Sequence, residues 1–325
     1  MPETPRYIEA LGQAMADEME RDDSVITLGV DVGAAGGVYG VTKGLQERFG
    51  PERVRDTPIA EAGVVGAAVG AAMAGLRPIV EIMYMDFASV CLDPIVNQAA
   101  KLRYMTGGGV KVPVVFRTQT GGGRSGGAQH SQSLEGMLAH FPGLRVFCPA
   151  DARDAHDLLV AAVRDDSPVC FVENRRLYPR RSEDWERDSL PPGLPRVVRQ
   201  GDELTVVTWG RMVSETTRAL EHVEGPGADP EIIDLRTLVP LDLSLVSDSV
   251  SRTGRCLVVH EAVESYGPGA EIVARIIDQA LYYLDGPVER FGALPTPVPY
   301  SPTLEAEMLP THESIARQLT AVATA

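Results

Sequence analysis

Short apolar runs alternate with segments of helical period along the whole chain. SVITLGV (24–30), PIVEIMY (78–84), VPVVFRT (112–118), LRVFCP (144–149) and PVCFVEN (168–174) are continuous and rich in β-branched and aromatic residues, as expected of strands buried on both faces. Helices are predicted between them, after Pro58, near 94–104 and over 154–163. This alternation predicts an α/β unit, a three-layer parallel sheet with helices on both faces, over residues 1–190. A charged stretch around Trp185 then runs into PPGLP (191–195), a composition that stops regular structure and suits a linker. Beyond it the pattern restarts with ELTVVTWG (203–210), PEIIDLRT (230–237) and RCLVVHEA (255–262), with helices over 212–222, near 243–250 and over 270–284. A second, smaller α/β domain is predicted over 191–325.

Charge and cysteine usage narrow the class. Thirty Lys and Arg against 45 Asp and Glu leave a formal charge of −15, which repels phosphate backbones and argues against nucleic acid or an anionic membrane as partner. Cys91, Cys148, Cys170 and Cys256 lie far apart with no C-x-x-C pair, which fits buried thiols in a reducing compartment. The first 23 residues are acidic and amphipathic, unlike a secretory signal or a transit peptide. The longest uncharged run, AGVVGAAVGAAMAGL (62–76), is too short and too weakly apolar to span a bilayer. The chain reads as cytoplasmic and unprocessed.

Two clusters are candidates for chemistry. TQTGGGRSGGAQHSQ (118–132) spells G-x-G-x-x-G at Gly121, Gly123 and Gly126, but a dinucleotide turn needs an acid at the end of the next strand, and Asp151 lies past the proline that ends LRVFCP. No G-K-[ST] occurs, so a Walker loop is excluded. The glycines would let backbone approach a ligand or another chain, and His130 at the loop's end is either a proton-transfer residue or a histidine bonded to nearby backbone. In TPIAEAG (57–63), Glu61 opens a helix, and an acid there either does chemistry or simply complements the helix dipole. Gly63, Gly66 and Gly70 place small residues on shared helix faces, which suits close packing.

Taken together, residues 56–87, NQAAKLRYMTGG, VPVVFR, GGAQHSQS, PGLRVFCPADARDA, VRDDSPVCFVEN, IIDLRTLVPLD and YGPGAEIVARI resemble the β subunit of the thiamin-diphosphate-dependent 2-oxo acid dehydrogenases. The resemblance covers nearly the whole chain in order, and MDFASVCLDPIVNQAAKLRYM looks most like the acetoin type. It implies a pyrimidine-binding domain followed by a transketolase C-terminal type domain. It also implies an α subunit that holds the diphosphate and magnesium through a G-D-G motif, absent from this chain. The implied assembly is two α and two β chains serving a lipoyl-bearing acyltransferase.

Residue by residue, the pyrimidine carboxylate falls on Glu61, its apolar neighbour on Ile59, the methionine under the ring on Met83 and the stacking aromatic on Phe87. The loop histidine falls on His130. By resemblance, Glu61 would share a proton with the pyrimidine N1′ and favour the tautomer whose nitrogen removes the thiazolium C2 proton. His130 would handle protons during acyl transfer to the lipoyl group. Some relatives bind potassium through backbone carbonyls matching Val114, Ala162, Val163, Asp165 and Ser167. Two departures stand out: GVDVGAAGGVYG is short, and NRRLYPRR (174–181) carries four arginines, either a solvated face or a contact for an acidic partner. Three rivals are a specialised enzyme passing its acyl unit to another acceptor, a nicotinamide dehydrogenase using Gly121 to Gly126, and a non-catalytic interaction protein that kept the fold, against which stands the joint presence of Glu61, Phe87 and His130.

Overall fold

The computed structural model describes residues 4–182, 185 and 190–325. Part of the expected linker, 183–184 and 186–189, lies outside the described residues. Contacts divide the chain into two compact units, Met1–Thr120 with Met137–Pro191 and Gly121–Gly136 with Pro192–Ala325. The glycine-rich loop therefore packs with the second unit although its flanking strand belongs to the first.

The first unit contains α1 (Tyr7–Arg21), β1 (Val25–Gly29), α2 (Leu45–Phe49), β2 (Val54–Asp56), α3 (Glu61–Met73), β3 (Arg77–Ile82), α4 (Ala100–Met105) and β4 (Val115–Thr120). After the loop come α5 (Glu135–Ala139), which straddles the division, β5 (Arg145–Phe147), α6 (Ala152–Arg164) and β6 (Val169–Asn174). The helix expected near 94–104 forms as a π-helical turn, Pro94–Ala99, continued by α4. The strands lie in the order β5-β6-β4-β3-β1-β2, all parallel. β4 and β6 are buried at every residue: their opening residues, Val115–Phe116 and Val169–Val172, are the apolar runs that mark them in the sequence, and the polar residues that follow are buried as well. On one side α1 buries Tyr7, Leu11, Ala14, Met15 and Met19 against α6, which contributes Leu158, Leu159 and Val163. On the other, α3 packs against β3 and β1 through Val65, Ala68, Val69 and Ala72.

The second unit contains β7 (Arg196–Arg199), β8 (Leu204–Thr208), α7 (Arg211–Ala219), β9 (Pro230–Asp234), β10 (Thr237–Val239), α8 (Ser244–Thr253) and β11 (Cys256–Val263). It ends with α9 (Gly269–Ala280), β12 (Val288–Ala293), α10 (Pro302–Met308) and α11 (His312–Thr324). Its sheet runs β12-β11-β8-β9-β7, parallel except for β7. Leu204, Val206, Ile232, Leu257 and Val259 of the sheet bury against Ile315 and Leu319 of α11. Both units are α/β, the first with its six strands parallel and the second with a mixed, mainly parallel sheet. No described helix is long and apolar enough to cross a membrane.

Candidate functional site

In the first sheet β1 has β2 on one side and β3 on the other, so successive connections leave in opposite directions between β1 and β3. Ligands of open parallel sheets bind at the carboxyl ends of strands at such a reversal. A cavity of about 90 Å³ lies there, lined by Val30 after β1, Thr57, Ile59 and Glu61 before and at the start of α3, Val64 and Val65 on α3, Val80, Ile82 and Met83 along and after β3, and Phe87. Four of the residues expected at a pyrimidine site, Ile59, Glu61, Met83 and Phe87, thus meet in one mainly apolar slot. Ile59 is 79% exposed and Glu61 half-buried in this chain alone. A flat heteroaromatic ring with a polar edge fits this slot. The buried Thr57 hydroxyl has no hydrogen-bond partner among the described residues, a polar group that a ligand would satisfy.

The slot is braced from behind. Phe87 meets Tyr84 edge to face at 5.7 Å, Arg175 lies 4.7 Å over the Tyr84 ring, and the Tyr39 hydroxyl donates to that of Tyr84 at 2.8 Å. Tyr84 sits at φ 70°, a conformation that costs a bulky residue about 1–3 kcal/mol and persists only where surroundings enforce it. Glu81 also lines the cavity, but its carboxylate accepts from Arg117 Nη1 at 3.0 Å. Arg117 spends its remaining fork on Glu173, at 2.7 and 3.0 Å, and Tyr178 donates to the same carboxylate at 2.6 Å. Glu61 is therefore the slot carboxylate not engaged in that buried network.

The glycine-rich loop is held inside the second unit by two buried carboxylates. Glu261 of β11 accepts from Gly122 N–H at 2.8 Å, and Glu305 of α10 accepts from Gly123 N–H at 2.7 Å and Ser125 N–H at 2.8 Å. The glycines serve this docking. A Cβ at Gly122 would lie 2.7 Å from Leu309, and one at Gly127, where φ is +72°, would enter the Tyr300 ring at 2.2 Å. Close approach to α10 and Tyr300, more than open access, requires glycine here. His130 is half-buried in the same loop, its backbone N–H turning back to Gly127 O at 3.4 Å.

Comparison with known proteins gives these sites a context. The description "Transketolase, pyrimidine binding domain" matches residues 3–181, and "Transketolase, C-terminal domain" matches 193–315. The chain is 44% identical over 308 residues to the pyruvate dehydrogenase E1 component subunit beta of Rickettsia bellii, covering 94% of this chain and 95% of the relative. It is 45% identical over 318 residues to the acetoin:2,6-dichlorophenolindophenol oxidoreductase subunit beta of Cupriavidus necator, covering 94% of each. It is 42% identical over 302 residues to the 2-oxoisovalerate dehydrogenase subunit beta of Bacillus subtilis, covering 92% of each. The chain belongs to the E1 β-subunit family of 2-oxo acid and acetoin dehydrogenases. A solved split-gene transketolase, titled an inactive beta4 tetramer, superposes with a TM-score of 0.80 at 21% identity over 99% of both chains, a likeness of fold.

Other expectations read differently against the structure of this E1 β subunit. The carbonyls proposed for potassium, at Val114, Ala162, Val163, Asp165 and Ser167, lie in and around the turn between α6 and β6. There Arg77 donates to Val163 O at 2.8 Å and Asp165 O at 3.1 Å, and Val114 O accepts from Val169 N–H at 2.9 Å. A guanidinium already supplies positive charge to this turn, so no step below depends on an added cation. The four arginines of 174–181 do not form one solvated face. Arg175 is buried over Tyr84, whereas Arg181 is exposed and lies 3.9 Å from Glu9. The four cysteines are buried, and none of them is joined in a disulfide. Burial pushes the thiols of Cys170 and Cys256 up to about 12, and burial followed by the Glu61 carboxylate does the same for Cys91, so all three are inert as nucleophiles. Sequence reasoning missed Thr57, Tyr84 and Arg175. A hydroxyl in a loop, an aromatic in a strand and a charge in an arginine run each have commoner explanations; Thr57 is distinguished only by lining the cavity, and Tyr84 and Arg175 only by their packing behind Phe87.

Proposed function

We propose that this E1 β subunit supplies the aminopyrimidine side of a thiamin diphosphate site completed by an α subunit. The observation that carries the reading is a carboxylate, Glu61, outside the Arg117 network and without an ion-pair partner among the described residues, at the edge of an apolar slot lined by Ile59, Met83 and Phe87. When bound, thiamin diphosphate supplies the nucleophilic carbon and the electron sink for cleaving the bond next to the carbonyl of a 2-oxo acid or acetoin. Glu61 holds a proton at the pyrimidine N1′. Phe87, fixed by Tyr84, stacks on the ring, and Met83 and Ile59 set its plane and exclude water. The Thr57 hydroxyl gives the bound ring a further polar partner. His130 moves a proton during passage of the acyl unit to a lipoyl group on an acyltransferase. Magnesium belongs to the α subunit in this reading. Among the described residues, no group of three or more His, Cys, Asp or Glu is arranged to hold a metal ion.

The assembly we infer is two α and two β chains. On α3, Gly63, Gly66 and Gly70 are exposed and a Cβ at each would meet open space, leaving a helix face on which another chain's backbone can lie close. Co-expression with an α-type chain followed by sedimentation and calorimetry tests this. The expected result is a four-chain particle that binds thiamin diphosphate with magnesium while the β chain alone does not. A β monomer fully active alone contradicts it.

A further inference from the structure

The loop carrying His130 has no regular structure, yet its apex is pinned by a carboxylate from far along the chain. Gly123 at φ +82° and Ser125 at φ +55° turn their N–H groups to the same side, the kind of concavity that backbone amides offer an anion. Here the anion is the chain's own Glu305, whose two oxygens take the two amides at 2.7 and 2.8 Å. Arg124 between them remains exposed. Glu305 is 2% exposed on α10, and Leu309, one turn on, lies where a Gly122 side chain would be. Behind this clamp Glu261 accepts from Gly122 N–H at 2.8 Å, and Arg211 lies 3.4 Å from both the Glu261 carboxylate and Gly122 O.

We propose that Glu305, backed by Glu261, is a positioning residue that fixes the loop on which His130 acts. Four residues separate Ser125 from His130, and a second turn, from Gly127 O to His130 N–H, relays the constraint. Two charge-assisted hydrogen bonds to a buried carboxylate are strong enough to hold such a loop in one conformation. Leu309 and Tyr300 pack so closely on Gly122 and Gly127 that a Cβ at either would clash, and releasing the carboxylate frees the apex between these two contacts. This inference rests on the proposed role of His130, and its test separates the two.

The test uses Glu305→Gln in the assembled α/β enzyme, with Glu307→Gln on the exposed side of the same helix as control and His130→Ala as reference. Glu305→Gln keeps the size of the side chain but sets an amide N–H₂ against one of the two backbone donors. Amide hydrogen exchange at Gly123 and Ser125 is expected to quicken by ~10-fold or more, since protection tracks the opening of the loop. Acylation of a lipoyl peptide is expected to slow by ~10-fold, with exchange of the cofactor C2 proton unchanged, and Glu307→Gln is expected to match wild type in all three. If Glu305→Gln does not assemble, Glu305→Asp withdraws the carboxylate by one methylene and is expected to shift the same readouts. Unchanged exchange at both amides overturns the clamp. Faster exchange with normal acylation, where His130→Ala is slow, overturns the positioning role. If His130→Ala is also normal, the reading of His130 fails and the positioning role falls with it.

Discussion

Replacing Arg117 with Leu should be the most damaging single change in the first unit. The guanidinium is fully buried and makes three hydrogen bonds of 2.7 to 3.0 Å to Glu173 and Glu81, whose side chains are 0% and 3% exposed. Leucine leaves two carboxylates buried without their counter-charge. Breaking a buried pair in this way costs about 3–5 kcal/mol, a large share of the 5–15 kcal/mol typical of a domain. Two charges stranded by one change place the expectation at the upper end. Burial already raises the Glu173 carboxyl, with Arg117 opposing, so removing Arg117 raises it further. The sign follows: with a folded pKa above the unfolded one, the variant's deficit is smallest at low pH and grows as pH rises through the new folded pKa. Urea unfolding of wild type, Arg117→Leu and Glu81→Gln/Arg117→Leu at pH 5 and 8 measures this. The double variant should recover part of the loss. A deficit under about 1 kcal/mol at pH 8, or one independent of pH, would refute the reasoning.

Glu135 is 3% exposed, and burial, opposed by the Trp209 indole N–H at 3.3 Å and assisted by Glu261, lifts its carboxyl to about 7. Its folded pKa lies above its unfolded one, so its contribution to stability is present in acid and is lost as pH rises to about 7. Glu135→Gln should abolish a loss on the order of 3 kcal/mol between pH 4.5 and 7.5, read by denaturant unfolding across that range. His130→Ala should leave thiamin diphosphate affinity within about twofold while slowing lipoyl acylation by ~10², and an equal loss of cofactor binding would mark it as structural. Gly66→Leu should preserve the fold of the isolated chain, since its Cβ meets open space, and should abolish the sedimenting α/β particle. An intact particle would remove this face of α3 from the interface.

The central parallel strands were legible because burial on both faces writes short apolar runs such as Val114–Phe116 and Val169–Val172, and the helices between them because their buried faces repeat with the helical period. Short edge strands were not. β2 has only Val54 buried, with Arg55 and Asp56 exposed, and β7 and β12 are mostly half-exposed, so neither carries an apolar run. The docking of residues 121–136 onto the second unit was hidden for a different reason: it depends on Glu261 and Glu305, 139 and 182 residues from the glycines they hold. Local pattern cannot register such pairings. Arg175 was hidden by its neighbours, because in an arginine run nothing local distinguishes the one buried over Tyr84. Glu61 alone reads as a helix-dipole acid. It acquires a chemical meaning from the resemblance, and from the sheet reversal that brings Ile59, Met83 and Phe87 around it.

Glu61 decides between a structural and a chemical slot. A helix-dipole acid replaced by Gln should cost only about 0.3–1 kcal/mol of stability and leave turnover alone. A proton-holding partner of the pyrimidine cannot be replaced by an amide. The direct measurement is hydrogen–deuterium exchange at the thiamin C2 by rapid acid quench, in the α/β complex with magnesium, for wild type and Glu61→Gln. If Glu61 holds the N1′ proton, the Gln variant exchanges more slowly by ~10² to 10⁴ while folded and assembled. A rate equal to wild type would contradict that role.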